Sequence, residues 1–189
     1  VPAFAGTTAI FRSAHEGSAA MQSIHLVVFA TAVTSCALAA AFVAHASTAS
    51  KPAAPIYGVT VPEGYRQWEL IAPAIEAAPL NELRAVVGNK IAIAAYRAGT
   101  LPFPDGTVLV KLAWKQMQST EFAPATVPGA ATTVQVMVKD SKKYADTGGW
   151  GFGRFIGDKP VDEAQHRTCF ACHEARVKGH DFVFTRFAP

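Results

Sequence analysis

The sequence predicts an α+β fold, a predominantly antiparallel β-sheet with flanking helices, whose functional helix lies near the C-terminus. Short apolar runs alternate with Gly and Pro punctuation through the middle of the chain, and two of these runs show period-2 patterning. One long helical pattern, Pro160 to Lys178, carries acidic residues at its start and basic residues at its end, as a helix dipole favours. The chain has 189 residues, of which 50% are hydrophobic and 16% charged, the range of one ordinary globular domain. Its 17 Lys and Arg against 14 Asp and Glu leave a scattered net charge of +3, which excludes the concentrated basic footprint of a nucleic-acid binder.

The elements are predicted in the following order. From Leu26 to Val43 the chain carries no charge, and Ala44-His45-Ala46 follows at once. This is the pattern of a secretory apolar core and its cleavage site, so residues 21–46 read as a signal peptide opening at Met21. Residues 1–20 read as an extension upstream of the translated start, and residues 47–189 as the mature domain. The alternative is an uncleaved inner-membrane anchor, although its many Ala, Thr and Ser make it weakly apolar for a span. A lipoprotein attached through Cys36 is a lesser alternative.

Lys51 to Pro55 reads as an extended leader and Val61-Pro62-Glu63-Gly64 as a turn into a helix over Tyr65 to Glu76. Ile91 to Arg97 reads as a strand, and Leu101 to Gly106 as a turn. In the strand Val108 to Lys115, Val108, Val110, Leu112 and Trp114 share one side, with Leu109, Lys111, Ala113 and Lys115 on the other. Thr132 to Lys139 is a half-buried strand with Val134, Val136 and Val138 inward. The helix Pro160 to Lys178, with Gly179 to end it, precedes a last strand, Asp181 to Phe187.

That helix carries Cys169-Phe170-Ala171-Cys172-His173, the C-x-x-C-H attachment sequence of haem c. Thiols one helical turn apart reach the two vinyl groups on one edge of the porphyrin, and His173 becomes the proximal iron ligand from the same side. Zinc is the first competitor but wants a second ligand pair, which the chain does not supply. A redox dithiol is the second, but it normally opens a helix rather than occupying its later turns. Export agrees with haem c, which bacteria attach outside the cytoplasm. His166 and His180 flank His173 on nearly the same helical face, about 10 Å away, and do not reach the opposite side of a haem. Met117 and Met137 sit in or beside strands, where a thioether is usually packing. An open sixth iron position is therefore expected.

The segments NKIAIAAYRAGTLPFPDGTVLVKLAWK, KYADTGGWGFGRF, CFACH and DFVFTRF, in this order, resemble the cytochrome P-460 family, which includes the β-sheet type of cytochrome c′. The resemblance covers about Tyr65 to Phe187. It implies an antiparallel β fold with flanking helices, a periplasmic homodimer, a five-coordinate haem and a small nitrogenous substrate or gas. P-460 members also carry a lysine bonded to the porphyrin rim, and Lys111 in GTVLVKLAW matches that position. The amine can act as a nucleophile if desolvation keeps it neutral. The competing reading is a lysine on a solvated strand face, as Lys115 beside it indicates.

The reaction implied by the resemblance is oxidation of hydroxylamine to nitrogen oxides, with electrons passed to a periplasmic redox partner. Deprotonation of the substrate calls for a distal carboxylate, for which Glu121, Asp140 and Asp146 are candidates near strand ends. An aromatic distal wall drawn from Phe103, Phe122, Trp150 or Phe152 would instead favour a non-catalytic nitric-oxide-binding protein. A sixth protein ligand would make an electron carrier. The run Gly148 to Gly153 lacks the spacing of a nucleotide loop and reads as close backbone packing. Arg97 and Arg154 are candidates to pair with haem propionates.

Overall fold

The computed structural model describes residues 50–188. The upstream extension, the signal-peptide segment with its anchor alternative, and Cys36 lie outside the described residues. Among the described residues no helix is long and apolar enough to cross a membrane.

Among the described residues six strands form one sheet in sequential order, every neighbouring pair antiparallel: β1 (Glu69–Glu76), β2 (Glu82–Gly88), β3 (Val108–Gln118), β4 (Thr126–Lys139), β5 (Trp150–Ile156) and the short β6 (Lys159–Pro160). Helix α1 (Lys90–Ala98) is inserted between β2 and β3, and α2 (Glu163–Val177) follows the sheet. The predicted strands Val108–Lys115 and Thr132–Lys139 lie within β3 and β4, but burial does not alternate along them because both sheet faces are covered: Leu109, Val110, Leu112 and Ala113 are all buried in β3, and Thr133, Val136 and Lys139 in β4, so Lys139 is not on a solvated face. Val110, Val136, Phe155 and Trp150 are almost wholly buried at the centre of the core.

Three predicted elements take other forms. Tyr65 to Glu76 is a 3₁₀ turn, Tyr65–Gln67, leading into β1 rather than a helix. β1 pairs on one side only, so the missing N–H of Pro73 is tolerated there. Ile91 to Arg97 is helical. Asn89 caps α1 by accepting from Ala92 N at 2.9 Å, Gly99 ends it with φ 64°, and Ala92, Ile93 and Ala95 bury one helical face. Alternation of Ile with Ala imitated a strand, but Ala is the strongest helix former and the cap supplies the start. Asp181 to Phe187 pairs with no strand; Asp181 and Phe182 have φ of 47° and 63°, which no strand accommodates. Helix α2 begins at Glu163, three residues later than Pro160 would place it, because Asp162 is the cap and accepts from Gln165 N at 2.9 Å. It runs directly into a 3₁₀ turn, Lys178–His180, without using Gly179 as a stop.

The glycine run of β5 is explained by close packing. A Cβ on Gly151 would stand 2.3 Å from Cζ of Tyr144, a buried ring whose hydroxyl donates to Tyr57 O at 3.0 Å. Gly151→Ala is therefore expected to destabilise the protein by about 1–3 kcal/mol. An unchanged urea midpoint would show that this ring can yield without cost.

Candidate haem site

Antiparallel pairing sets Ala72 opposite Val86, Val86 opposite Lys111, Lys111 opposite Gln135 and Gln135 opposite Arg154. Directly paired residues share a sheet face, so these five form one row across β1 to β5. All five line a single cavity of about 850 Å³. A parallel row, Leu109, Met137 and Phe152, lines it as well. Cys169, Cys172, His173 and Arg176 of α2 complete the wall together with Val183 to Arg186.

The positions of the α2 residues follow from helix geometry, since i, i+3 and i+4 share a face. The helix is held to the sheet by His166, which is wholly buried. His166 Nδ1–H donates to Asp162 O at 2.8 Å, and its Nε2 accepts from the backbone N–H of Arg154 at 3.0 Å. Both ring nitrogens are occupied, so His166 is a fastener and not an iron ligand. His180 is likewise engaged, Nδ1 to Val183 O at 2.9 Å, and is absent from the cavity lining.

His173 donates from Nδ1 to Phe182 O at 2.7 Å. A carbonyl can only accept, so this bond fixes the tautomer and leaves the Nε2 lone pair free for a metal. Burial pushes the imidazole below its usual pKa range and Lys111 adds to this, while the carbonyl bond opposes it. The neutral, ligating form is favoured. Phe152 and Phe184 pack on the ring, with centroids 5.0 and 4.9 Å away. Burial also pushes the Cys169 thiol up.

Lys111 is not on a solvated face. Burial pushes its pKa down to about 8, with Arg84 contributing in the same direction. Ala113, its neighbour on the same side of β3, is 1% exposed, whereas Lys115 lies beyond the cavity and donates to Leu80 O at 2.8 Å. Lys111 therefore shares one cavity with Cys169, Cys172 and His173.

The three carboxylates proposed from sequence are placed elsewhere. Glu121 is bonded to Thr120 in the β3–β4 turn, Asp140 accepts from the N–H groups of Lys142 and Lys143, and Asp146 sits in a 3₁₀ turn. None lines the cavity. Glu76 does, at the end of β1, where it is ion-paired with Arg84; Arg84 also donates to Glu82 at 3.1 Å. Reading β1 as a helix hid this carboxylate. The cross-strand pairing of Glu76 with Glu82 at the turn is the signal that a β1–β2 hairpin would have supplied. Of the aromatic candidates, Phe152 alone lines the cavity; Phe103 and Trp150 pack together in the core at 5.9 Å, and Phe122 is 63% exposed on the β3–β4 turn. Arg97 pairs with Glu69 at 2.6 Å away from the cavity, whereas Arg154 lines it.

The donor set fits a covalent haem. Two free thiols and one imidazole with an uncommitted Nε2 face a cavity within the size range of cofactor sites. Arg84, Lys111, Arg154, Arg176 and Arg186 outnumber Glu76 in the lining, and Nε of Arg154 is buried with no hydrogen-bond partner. An orphaned guanidinium nitrogen in a cationic cavity suits an anionic group such as a haem propionate. Cys169 and Cys172 would carry the thioether bonds and His173 the iron.

A C-x-x-C-H helix closing such a cavity against an antiparallel meander defines a c-type haem protein. The cytochrome P460 family model matches residues 62–185, and the chain belongs to the cytochrome P460 family. No curated protein matches it significantly. Replacing both thiols, Cys169→Ala with Cys172→Ala, is expected to abolish haem that survives acid–acetone extraction, read as the loss of a pyridine haemochrome signal from the protein fraction. Haem retained by the double variant would refute covalent attachment at this motif.

Proposed function

We propose that the protein oxidises hydroxylamine in the periplasm, at a haem bonded to Lys111 as well as to Cys169 and Cys172. The observation that carries this reading is the polar row Lys111, Gln135 and Arg154 within the cavity that also holds His173. Polar groups held inside a cavity call for a polar occupant, because unpaired they cost the site their desolvation. When bound, the haem iron supplies an open coordination position and accepts the electrons of the substrate.

The chain's own residues would divide the work as follows. Lys111 at pKa about 8 has a neutral fraction at pH 7 roughly two orders of magnitude above that of an exposed lysine. Its nitrogen would thus be available for a bond to the porphyrin rim, in which one N–H and one C–H bond would give way to a C–N bond while two electrons and two protons pass to a two-electron oxidant of the peroxide class, reduced to water. Glu76, oriented by Arg84, takes protons released from the substrate. Gln135 donates to Thr133 Oγ1 at 3.2 Å, which directs its amide and leaves its carbonyl oxygen to accept from an N–H or O–H in the cavity. Phe152 and Phe184 keep water from the His173 ring. A homodimer and a periplasmic electron acceptor complete the proposal by family resemblance.

Met137 favours a second reading. It lines the cavity, and as a sixth ligand it would make the protein an electron carrier. The reduced absorption spectrum separates these readings. A strongly red-shifted Soret band, replaced by an ordinary haem c band in Lys111→Ala, is the expected result. The cross-linked fraction formed on maturation should rise with pH through a midpoint at about 8 and level off about one unit above it, because only the neutral amine attacks. A high-spin haem c spectrum in the parent would instead indicate a nitric-oxide-binding protein, and a low-spin six-coordinate spectrum the Met137-ligated carrier.

Turnover tests the proton acceptor. Glu76→Gln is expected to lower kcat for hydroxylamine by about 10²-fold or more with the parent spectrum retained. Undiminished turnover would remove Glu76 from the mechanism.

A further inference from the structure

Lys139 and Asp181 form an ion pair with side chains only 6% and 9% exposed. The Lys139 ammonium has three protons to donate, and it meets Asp181 Oδ1 at 2.8 Å, Asp181 Oδ2 at 2.9 Å and Gly148 O at 3.0 Å. Asp181 Oδ2 accepts in addition from Phe103 N at 2.8 Å. The pair is fully satisfied, yet neither residue lines the haem cavity. Apolar packing would serve stability as well as a buried pair does, so its presence asks for another purpose.

That purpose lies one residue along the chain. Asp181 and Phe182 are consecutive non-glycine residues in the left-handed region, with φ of 47° and 63°. Such a conformation persists only where the surroundings over-determine it. Here the Asp181 carboxylate is clamped from β4 and from Phe103, while the Phe182 ring lies on Gly148 so closely that a Cβ there would stand 2.2 Å from Cε2. The result of the strain is the direction of one group: Phe182 C=O accepts from His173 Nδ1 at 2.7 Å.

We propose that Lys139 and Asp181 are positioning residues for His173, acting through the Phe182 carbonyl to set how strongly the imidazole donates to iron. The inference rests on His173 as the haem ligand and is independent of whether hydroxylamine is the substrate. A firm Nδ1–H···O=C bond gives the imidazole more anionic character, which strengthens the iron–nitrogen bond and favours ferric over ferrous iron.

The test compares haem-loaded variants by reduction potential and by the iron–histidine stretching frequency of the ferrous form. Direct Coulomb effects predict opposite outcomes, since Lys139→Met removes a positive charge and lowers the potential while Asp181→Asn removes a negative one and raises it. Action through His173 predicts that both variants raise the potential and lower the stretching frequency, and that Lys139→Arg keeps both near the parent values. Gly148→Ala displaces the Phe182 ring without changing any charge and should move both readouts the same way, which keeps the test open if Lys139→Met fails to fold. Potentials shifting in opposite directions, or a lowered melting temperature with an unchanged stretching frequency, would overturn the inference. A parent protein without covalent haem would overturn both it and the ligation on which it rests.

Discussion

The register of the antiparallel meander is the constraint on which the rest of the site depends. Val86, Lys111, Gln135 and Arg154 come from four different strands and meet only because β2 to β5 pair at one offset. A one-residue slip would carry every one of these side chains to the other sheet face and send Val110, wholly buried and absent from the cavity lining, into the cavity. The apolar alternation of β3 and β4 therefore determines where the polar groups go. Burying Val110 and Val136 on one face leaves Lys111 and Gln135 no choice of side.

Helix α2 is tied to that register at a single backbone position. The N–H of Arg154, within the polar row, donates to the buried Nε2 of His166, three residues before Cys169. The depth of the C-x-x-C-H turn is thus referenced directly to the strand that contributes Arg154. The far end of the helix is referenced to β4 through Lys139 and Asp181, so the imidazole of His173 is located from both sides. Two buried polar contacts, both fully partnered, position a helix that buries little apolar surface of its own: among its residues only His166 is fully buried. Polar contacts with strict geometry specify orientation in a way that apolar burial, being non-directional, does not.

Electrostatics inside the cavity come from the same layout. Lys111 is brought among Arg84 and Arg154 and away from water, and its charge is disfavoured by burial first and by these neighbours second. Glu82 and Cys169 oppose the shift without reversing it. Gathering cations around an amine both weakens its proton affinity and prepares the space for an anionic cofactor, so one arrangement serves the lysine and the propionates together.

Local features were legible in the chain by itself. The spacing of Cys169, Cys172 and His173 places three groups on one helical face whatever surrounds them, and the alternation in Val108–Lys115 and Thr132–Lys139 names its own strands, because both are periodicities of a single segment. Ile91–Arg97 and Tyr65–Glu76 were not legible, because an Ala-rich segment satisfies both periods and only its neighbours choose: a capping Asn89 for α1, and an available partner in β2 for β1. Long-range relations decided the rest. That Lys111 is half-buried in the cavity while Lys115 bonds at the sheet margin, that Glu76 rather than Glu121, Asp140 or Asp146 reaches the cavity, and that Asp181 turns a carbonyl onto His173 all depend on which strands and loops meet across the sheet. A residue's identity travels with the sequence, but its desolvation and its partners are properties of the packed chain, and those set its chemistry.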